Sequence, residues 1–175
     1  MNKKYLIFSD CHGSIDSFKK ILKYFEEEKC DTLVCLGDIL YHGPRNDLPM
    51  GYDPKEIADL IKNFKDELLM VRGNCDGRVD EMVTNTKMKD FISEGNILFT
   101  HGDLIKKFNS KLFKKYVFYG HTHIMDIKQC GKTYYINPGS ITIPKQGEAS
   151  FIIFENDIVK VYDMNKELIL EKNFK

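Results

Sequence analysis

"YLIFSDCHG", residues 5–13, sets the reading of the whole chain. Four apolar, strand-favouring residues are followed closely by Asp10 and His12, two side chains that bind cations. The same arrangement recurs along the sequence. "TLVCLGD" (32–38) delivers Asp38, and "ELLMVRGN" (67–74) delivers Asn74. "NILFTHG" (96–102) delivers His101, and "KYVFYGHTH" (115–123) delivers His121 and His123. Runs of this length read as buried strands. In sheets of this class ligands bind outside the carboxyl ends of the strands, so these side chains are expected to converge on one edge. Gly37, Gly73, Gly102 and Gly120 stand beside them, where backbone must turn or pack closely.

Helical patterns separate the first runs. "SIDSFKKILKYFEEEK" (14–29) puts Phe18, Ile21, Leu22 and Phe25 on one face behind Ser14 as N-cap. "DPKEIADLIKNFKDE" (53–67) opens with Asp53 as cap and Pro54 at the first helical position, with Ile57, Leu60, Ile61 and Phe64 inward. Strand, helix, strand, helix, strand predicts a largely parallel sheet covered by helices. From about residue 124 the texture changes to hairpins, with Gly131-Lys132 and Asn156-Asp157 in the turns. A second, mostly antiparallel sheet packed on the first is therefore expected, with helices outside. The 175 residues contain no repeat or low-complexity linker, so residues 1–175 read as one domain. The one long irregular piece is "YHGPRNDLPMGYDP" (41–54), and loops of that length inside a domain are usually functional or mobile.

Composition narrows the class. Hydrophobic residues make up 42% and charged residues 30%, as in ordinary globular proteins. Lys plus Arg and Asp plus Glu both count 26, and the resulting zero net charge speaks against a general nucleic-acid binder. Five cysteines without C-x-x-C spacing suit a reduced compartment, and no apolar run is long enough for a signal sequence or a membrane span. A soluble cytoplasmic protein is expected. The lysine segment "KKFNSKLFKK" (106–115) reads as a solvated helix face, and Met82, Met88 and Met125 as core filler.

Asp10, His12, Asp38, Asn74, His101, His121 and His123 are too many donors for one tetrahedral zinc and suit two ions. With a bridging carboxylate, such ions stand about 3.5 to 4 Å apart and activate a water between them. Two divalent ions outweigh two carboxylates and a hydroxide, so an anionic substrate is favoured, with phosphate ester hydrolysis the best-served reaction. Each motif alone has a plainer meaning: "LGD" and "RGN" are turn chemistry, and "THG" is a hydrogen-bonded histidine. "GHTH" is stronger, because residues i and i+2 of an extended segment face one side. Four of the five histidines fall within these motifs, and the combination carries the argument.

In this order, "DCH", "GD", "GNCD", "HG" and "GHTH" resemble the calcineurin-like metallophosphoesterase superfamily, over residues 4 to about 143. "GDILYHGPRNDLP", the cysteine of "GNCD" and "INPGS" are similar to the small YfcE-like bacterial phosphodiesterases. The resemblance implies a four-layer αββα sandwich of two mixed β-sheets flanked by helices. It implies one ion on Asp10, His12, Asp38 and His123, a second on Asp38, Asn74, His101 and His121, and Asp38 as the bridge. It implies attack by a hydroxide between the metals, with Asp38, Asn74, Cys75 and His101 as the catalytic set. Most of the superfamily has a histidine where this chain has Cys75, and that histidine contacts the phosphate and helps protonate the leaving group. Nitrogen and oxygen donors fit manganese, iron, nickel, cobalt or zinc; the resemblance favours manganese (Mn2+).

Cys75 is read as a contact near the phosphate, neither ligand nor nucleophile. A thiol is a poor general acid, so diesters with acidic leaving groups are expected to be better substrates than monoesters. His42 and Arg45, in the loop after Asp38, are candidate substrate contacts; Arg45 could clamp phosphate oxygens or tie its own loop together. Asp76 could orient its neighbours or simply hold a turn. The expected partner is a small phosphodiester, with pairing of two copies left open. Two rivals stand beside this reading. One is a protein-binding scaffold of the same fold, as in the retromer subunit that has lost its metal ligands. The other is a phosphomonoesterase or nucleotide pyrophosphohydrolase.

Overall fold

In the computed structural model, residues 3–64, 66–104 and 114–174 are described. The first apolar run forms β1 (Tyr5–Phe8), and its side chains alternate between two cores. Leu6 and Phe8 join a core with the helices, whereas Tyr5 and Ile7 join a core between two sheets. This period-two division, repeated by β2 (Thr32–Cys35) and β9 (Ser150–Glu155), needs residues that are apolar on both faces. That is why these runs read as continuous rather than alternating.

The remaining strands are β3 (Leu68–Met70), β4 (Phe91–Glu94), β5 (Ile97–Thr100), β6 (Tyr116–Phe118), β7 (Met125–Cys130), β8 (Thr133–Pro138), β10 (Ile158–Asp163) and β11 (Leu168–Asn173). One sheet has the order β11-β10-β9-β1-β2-β3 and the other β4-β5-β6-β8-β7. β1, β2 and β3 are parallel neighbours, as are β5, β6 and β8; the other pairings are antiparallel. Aromatic rings join the sheets: Phe118 meets Phe154 at 5.2 Å and Tyr5 meets Phe99 at 5.7 Å between centroids. The product is an α/β sandwich of two mixed sheets.

Helix α1 (Ile15–Glu27) is capped by Ser14, whose hydroxyl accepts the Ser17 N–H, and buries Phe18, Ile21, Leu22 and Phe25. Helix α2 (Pro54–Ile61) is capped by Asp53, whose carboxylate accepts the Glu56 N–H, and buries Ile57 and Ile61. It stops before Phe64, which packs on the core from beyond the helix end. Helix α3 (Arg78–Thr84) packs on α2 and has no counterpart in the sequence reading.

Two expectations need correction. The C-terminal hairpins do not build a separate antiparallel sheet. β9 pairs with β1 (Leu6 opposite Ile153) and brings β10 and β11 into the first sheet, since β1 would otherwise carry an open edge. Met82 is not core filler: it is exposed on α3, whereas Met88 is buried and Met125 partly so. Of the lysine segment, residues 106–113 lie outside the described residues, as does the helix expected there. Among the described residues no helix is long and apolar enough to cross a membrane.

Candidate metal centre

All seven expected donors follow strand ends, and the two sheets present those ends side by side. The loops after β1 and β2 stay paired beyond the strands, through Asp10 N–H to Gly37 O (3.1 Å) and His12 N–H to Asp38 O (2.9 Å). The second sheet is tied on by His101, whose Nδ1 bonds the Leu36 carbonyl at 2.8 Å, and by the His121 N–H, which donates to Asp10 Oδ2 at 3.0 Å. Asp10, His12, Asp38, His121 and His123 all have positive φ, between 50° and 68°. Five non-glycine residues held in the left-handed region mark a backbone that aims side chains at a cost the surrounding fold must offset.

Three histidines share one device. Nδ1 of His12, His101 and His123 sits on the carbonyl of Tyr41 (2.9 Å), Leu36 (2.8 Å) and Ile143 (2.9 Å) respectively. A carbonyl only accepts, so each Nδ1 carries the proton and the neutral ring turns its Nε2 lone pair inward. In one half of the site His12 Nε2 lies 3.2 Å from His123 Nε2, and His123 Nε2 lies 3.2 Å from Asp10 Oδ1. That buried oxygen has no hydrogen-bond partner. Acceptors facing acceptors require a cation between them. Burial lowers His12; at His123 burial also pulls the ring down, but the Asp10 carboxylate outweighs it and the net shift is upward. Burial would raise Asp10 itself, but its histidine neighbours hold it below the usual carboxylate range.

The other half gathers His101 Nε2, Asn74 Oδ1 at 3.0 Å from it, and Asp38 Oδ2 at 3.5 Å. The same Asp38 oxygen lies 3.8 Å from His12 Nε2, so it faces both halves, while Oδ1 accepts the Cys75 N–H at 2.8 Å. His121 meets the His101 ring edge-on at 5.1 Å between centroids, and burial and that neighbour lower its pKa. The donors are of the nitrogen-and-oxygen class that holds divalent ions, and three groups of candidate ligands cluster within 4.8 Å: Asp10, His12 and His123; His12, Asp38 and Cys75; Asp10, Asp38 and His101.

Asp76 answers its alternatives. Its buried carboxylate accepts the N–H groups of Asp38 (2.8 Å), Ile39 (3.0 Å) and Gly73 (2.7 Å), tying the loops after β2 and β3 together. Two residues of the "INPGS" stretch do comparable work. Ser140 Oγ donates to the Asp10 carbonyl at 2.8 Å, and Asn137 Nδ2 holds Gly120 O and Thr122 Oγ1 at 2.9 and 3.0 Å. The motif was visible in the sequence, but these contacts were not.

A cleft of about 770 Å³ opens over the donors, lined also by Tyr41, Arg45, Cys75 and Lys145. The Cys75 sulfur lies within 4.8 Å of donor atoms of His12 and Asp38, so it stands beside the candidate ligands. Burial, then the Asp38 carboxylate, push its thiol up to about 12, so it is protonated at neutral pH. Arg45 lines the cleft, exposed, with no ion-pair partner among the described residues, which disfavours the loop-tying alternative. His42 does not line the cleft. Its ring is held between Tyr41 and Tyr52, at 4.8 and 5.4 Å between centroids, and the chain turns at the next residue, Gly43, with φ +82°. Lys145 was missed: a lone lysine in "TIPKQG" gives no sequence signal.

The calcineurin-like phosphoesterase superfamily domain matches residues 4–157. The chain belongs to this superfamily. It is 35% identical over 175 residues to phosphodiesterase YfcE of Escherichia coli (strain K12), with 95% of each chain covered. The solved structure of YfcE, a phosphoesterase from E. coli, aligns with a TM-score of 0.88 at 32% identity, over 98% of this chain and 100% of that one. The probable metallophosphoesterase YsnB of Bacillus subtilis (strain 168) is 28% identical over 90% of this chain and 89% of its own. Vacuolar protein sorting 29 from Cryptosporidium parvum shares the fold alone, at 16% identity and a TM-score of 0.66 over 98% of each chain.

Proposed function

We propose that this chain, residues 1–175 as one domain, is a metal-dependent phosphodiesterase acting on a small phosphodiester in the cytoplasm. The observation that carries the reading is the set of inward-facing acceptors, above all the partnerless Asp10 oxygen beside two imidazole lone pairs. Family membership and the 35% identity to a phosphodiesterase support it. Asp10, His12, Asp38 and His123 would hold one ion and Asp38, Asn74, His101 and His121 the other, with Asp38 shared and manganese the favoured metal. When bound, such a pair supplies Lewis acidity that neutralises phosphoryl charge and lowers the pKa of a water.

The chain's own residues then set the selectivity. Arg45 offers a planar donor fork to the non-bridging oxygens. Cys75, a weak hydrogen-bond donor, gives little help to an alkoxide leaving group. Diesters with acidic leaving groups are thereby favoured over monoesters.

The deciding experiment is hydrolysis of bis-p-nitrophenyl phosphate by chelator-stripped protein, before and after manganese is restored. Turnover that returns only with the metal supports the reading. A protein that binds manganese and leaves the diester intact overturns it and directs attention to a protein partner.

A further inference from the structure

The cleft carries two exposed cations, Arg45 and Lys145, and neither has an ion-pair partner among the described residues. They arrive from different loops and flank the donors from different sides. The Arg45 loop abuts Cys75: a Cβ on Gly43 would lie 3.2 Å from the Cys75 sulfur. The Lys145 backbone N–H donates to the His123 carbonyl at 3.0 Å. Lys145 therefore stands on the side of His12 and His123. Asp47 and Glu148, acids on the same two loops, do not line the cleft.

Charge balance gives this placement meaning. Among the described residues Asp38 is the only carboxylate lining the cleft, with Asp10 and Asp76 buried behind it. A simple diester has one negative charge and one natural partner, Arg45, for its free oxygens. Lys145 is left facing the cleft with no counter-charge. We propose that Lys145 is a specificity residue that binds a second anionic group of the substrate, a carboxylate or a phosphate, on the His12–His123 side of the scissile phosphorus. The inference rests on the diesterase reading above and narrows its substrate class to acidic phosphodiesters.

Two esters with one leaving group test it: p-nitrophenyl ethyl phosphate and p-nitrophenyl 2-carboxyethyl phosphate, on manganese-loaded protein. The carboxylated ester should be favoured in kcat/KM by about tenfold, the scale of one charge-assisted hydrogen bond, chiefly through KM. Lys145→Ala should remove the preference between the two esters, Lys145→Arg should retain it, and Lys145→Glu should invert it. Calorimetry gives a second readout: 3-phosphonopropionate should bind wild type more tightly than propylphosphonate, and equally in Lys145→Ala. Equal turnover of both esters by wild type overturns the inference while leaving the diesterase reading intact. Turnover of neither ester, with manganese bound, overturns both.

Discussion

The Asp76 carboxylate accepts the backbone N–H of Asp38 at 2.8 Å, and through it the residue facing both halves of the centre is anchored to the loop after β3. The same carboxylate takes Ile39 and Gly73, so one buried side chain sets the positions of two strand-end loops. Asp76→Ala leaves three buried donors unsatisfied and is expected to cost about 3 kcal/mol. Metal affinity should fall on the order of 10–100-fold, as for other supports behind a ligand. Urea unfolding and metal titration read the two effects separately; wild-type affinity in the variant would show that Asp38 needs no such anchor.

On the proposed function, Cys75 biases which phosphate esters leave easily. Its thiol is protonated at neutral pH, because burial and then Asp38 raise it to about 12, yet it donates weakly. Cys75→His restores a competent general acid and should raise monoester turnover on the order of 10²-fold relative to diester turnover. Unchanged selectivity on p-nitrophenyl phosphate against its bis ester sinks this account.

Gly73 is a matter of space. A Cβ there would enter the Asp38 carboxylate and its backbone N–H, neither of which has room to withdraw. Gly73→Ala should therefore bind fewer than two ions per chain, measured by elemental analysis after dialysis. Two ions bound at wild-type affinity would refute the packing argument.

Far from the centre, Tyr116 donates to Asp157 Oδ1 at 2.6 Å. Burial, then that carboxylate, raise the phenol from 10.0 to about 12. A raised folded pKa means the stabilisation is complete below pH 10 and is lost as pH rises through about 12. Tyr116→Phe should lose about 1 kcal/mol at pH 8 and show a shallower decline in stability between pH 10 and 12. Urea midpoints across that range provide the check, with equal slopes counting against the assignment.

The strand ends were legible because burial on both faces makes a run continuously apolar, and a cation-binding residue immediately after such a run stands out. Pairing of β9 with β1 was not: residues 5–7 and 152–154 meet across the whole chain, and no local pattern encodes that register. Helix α3 escaped because Val79, Met82 and Val83 face solvent, so its apolar residues describe no inward face. β4 is a half-exposed edge strand of four residues and lacks a clean alternation. At the site, candidate donors could be named from spacing, but the tautomers of His12, His101 and His123 depend on carbonyls 20 to 65 residues away. His42 and Arg45 looked alike in the sequence; the turn at Gly43 separates them.

His101 grows from the second sheet yet is pinned to Leu36 of the first, and His121 is likewise tied to Asp10. The centre therefore straddles a mechanical joint. A small slip of one sheet over the other, absorbed by the rings of Tyr5, Phe99, Phe118 and Phe154, would spread the donors before any strand unpaired. Drift in those distant aromatic residues would register first as poor metallation of an otherwise folded protein, so metal content would gauge how well the two halves of the sandwich are seated.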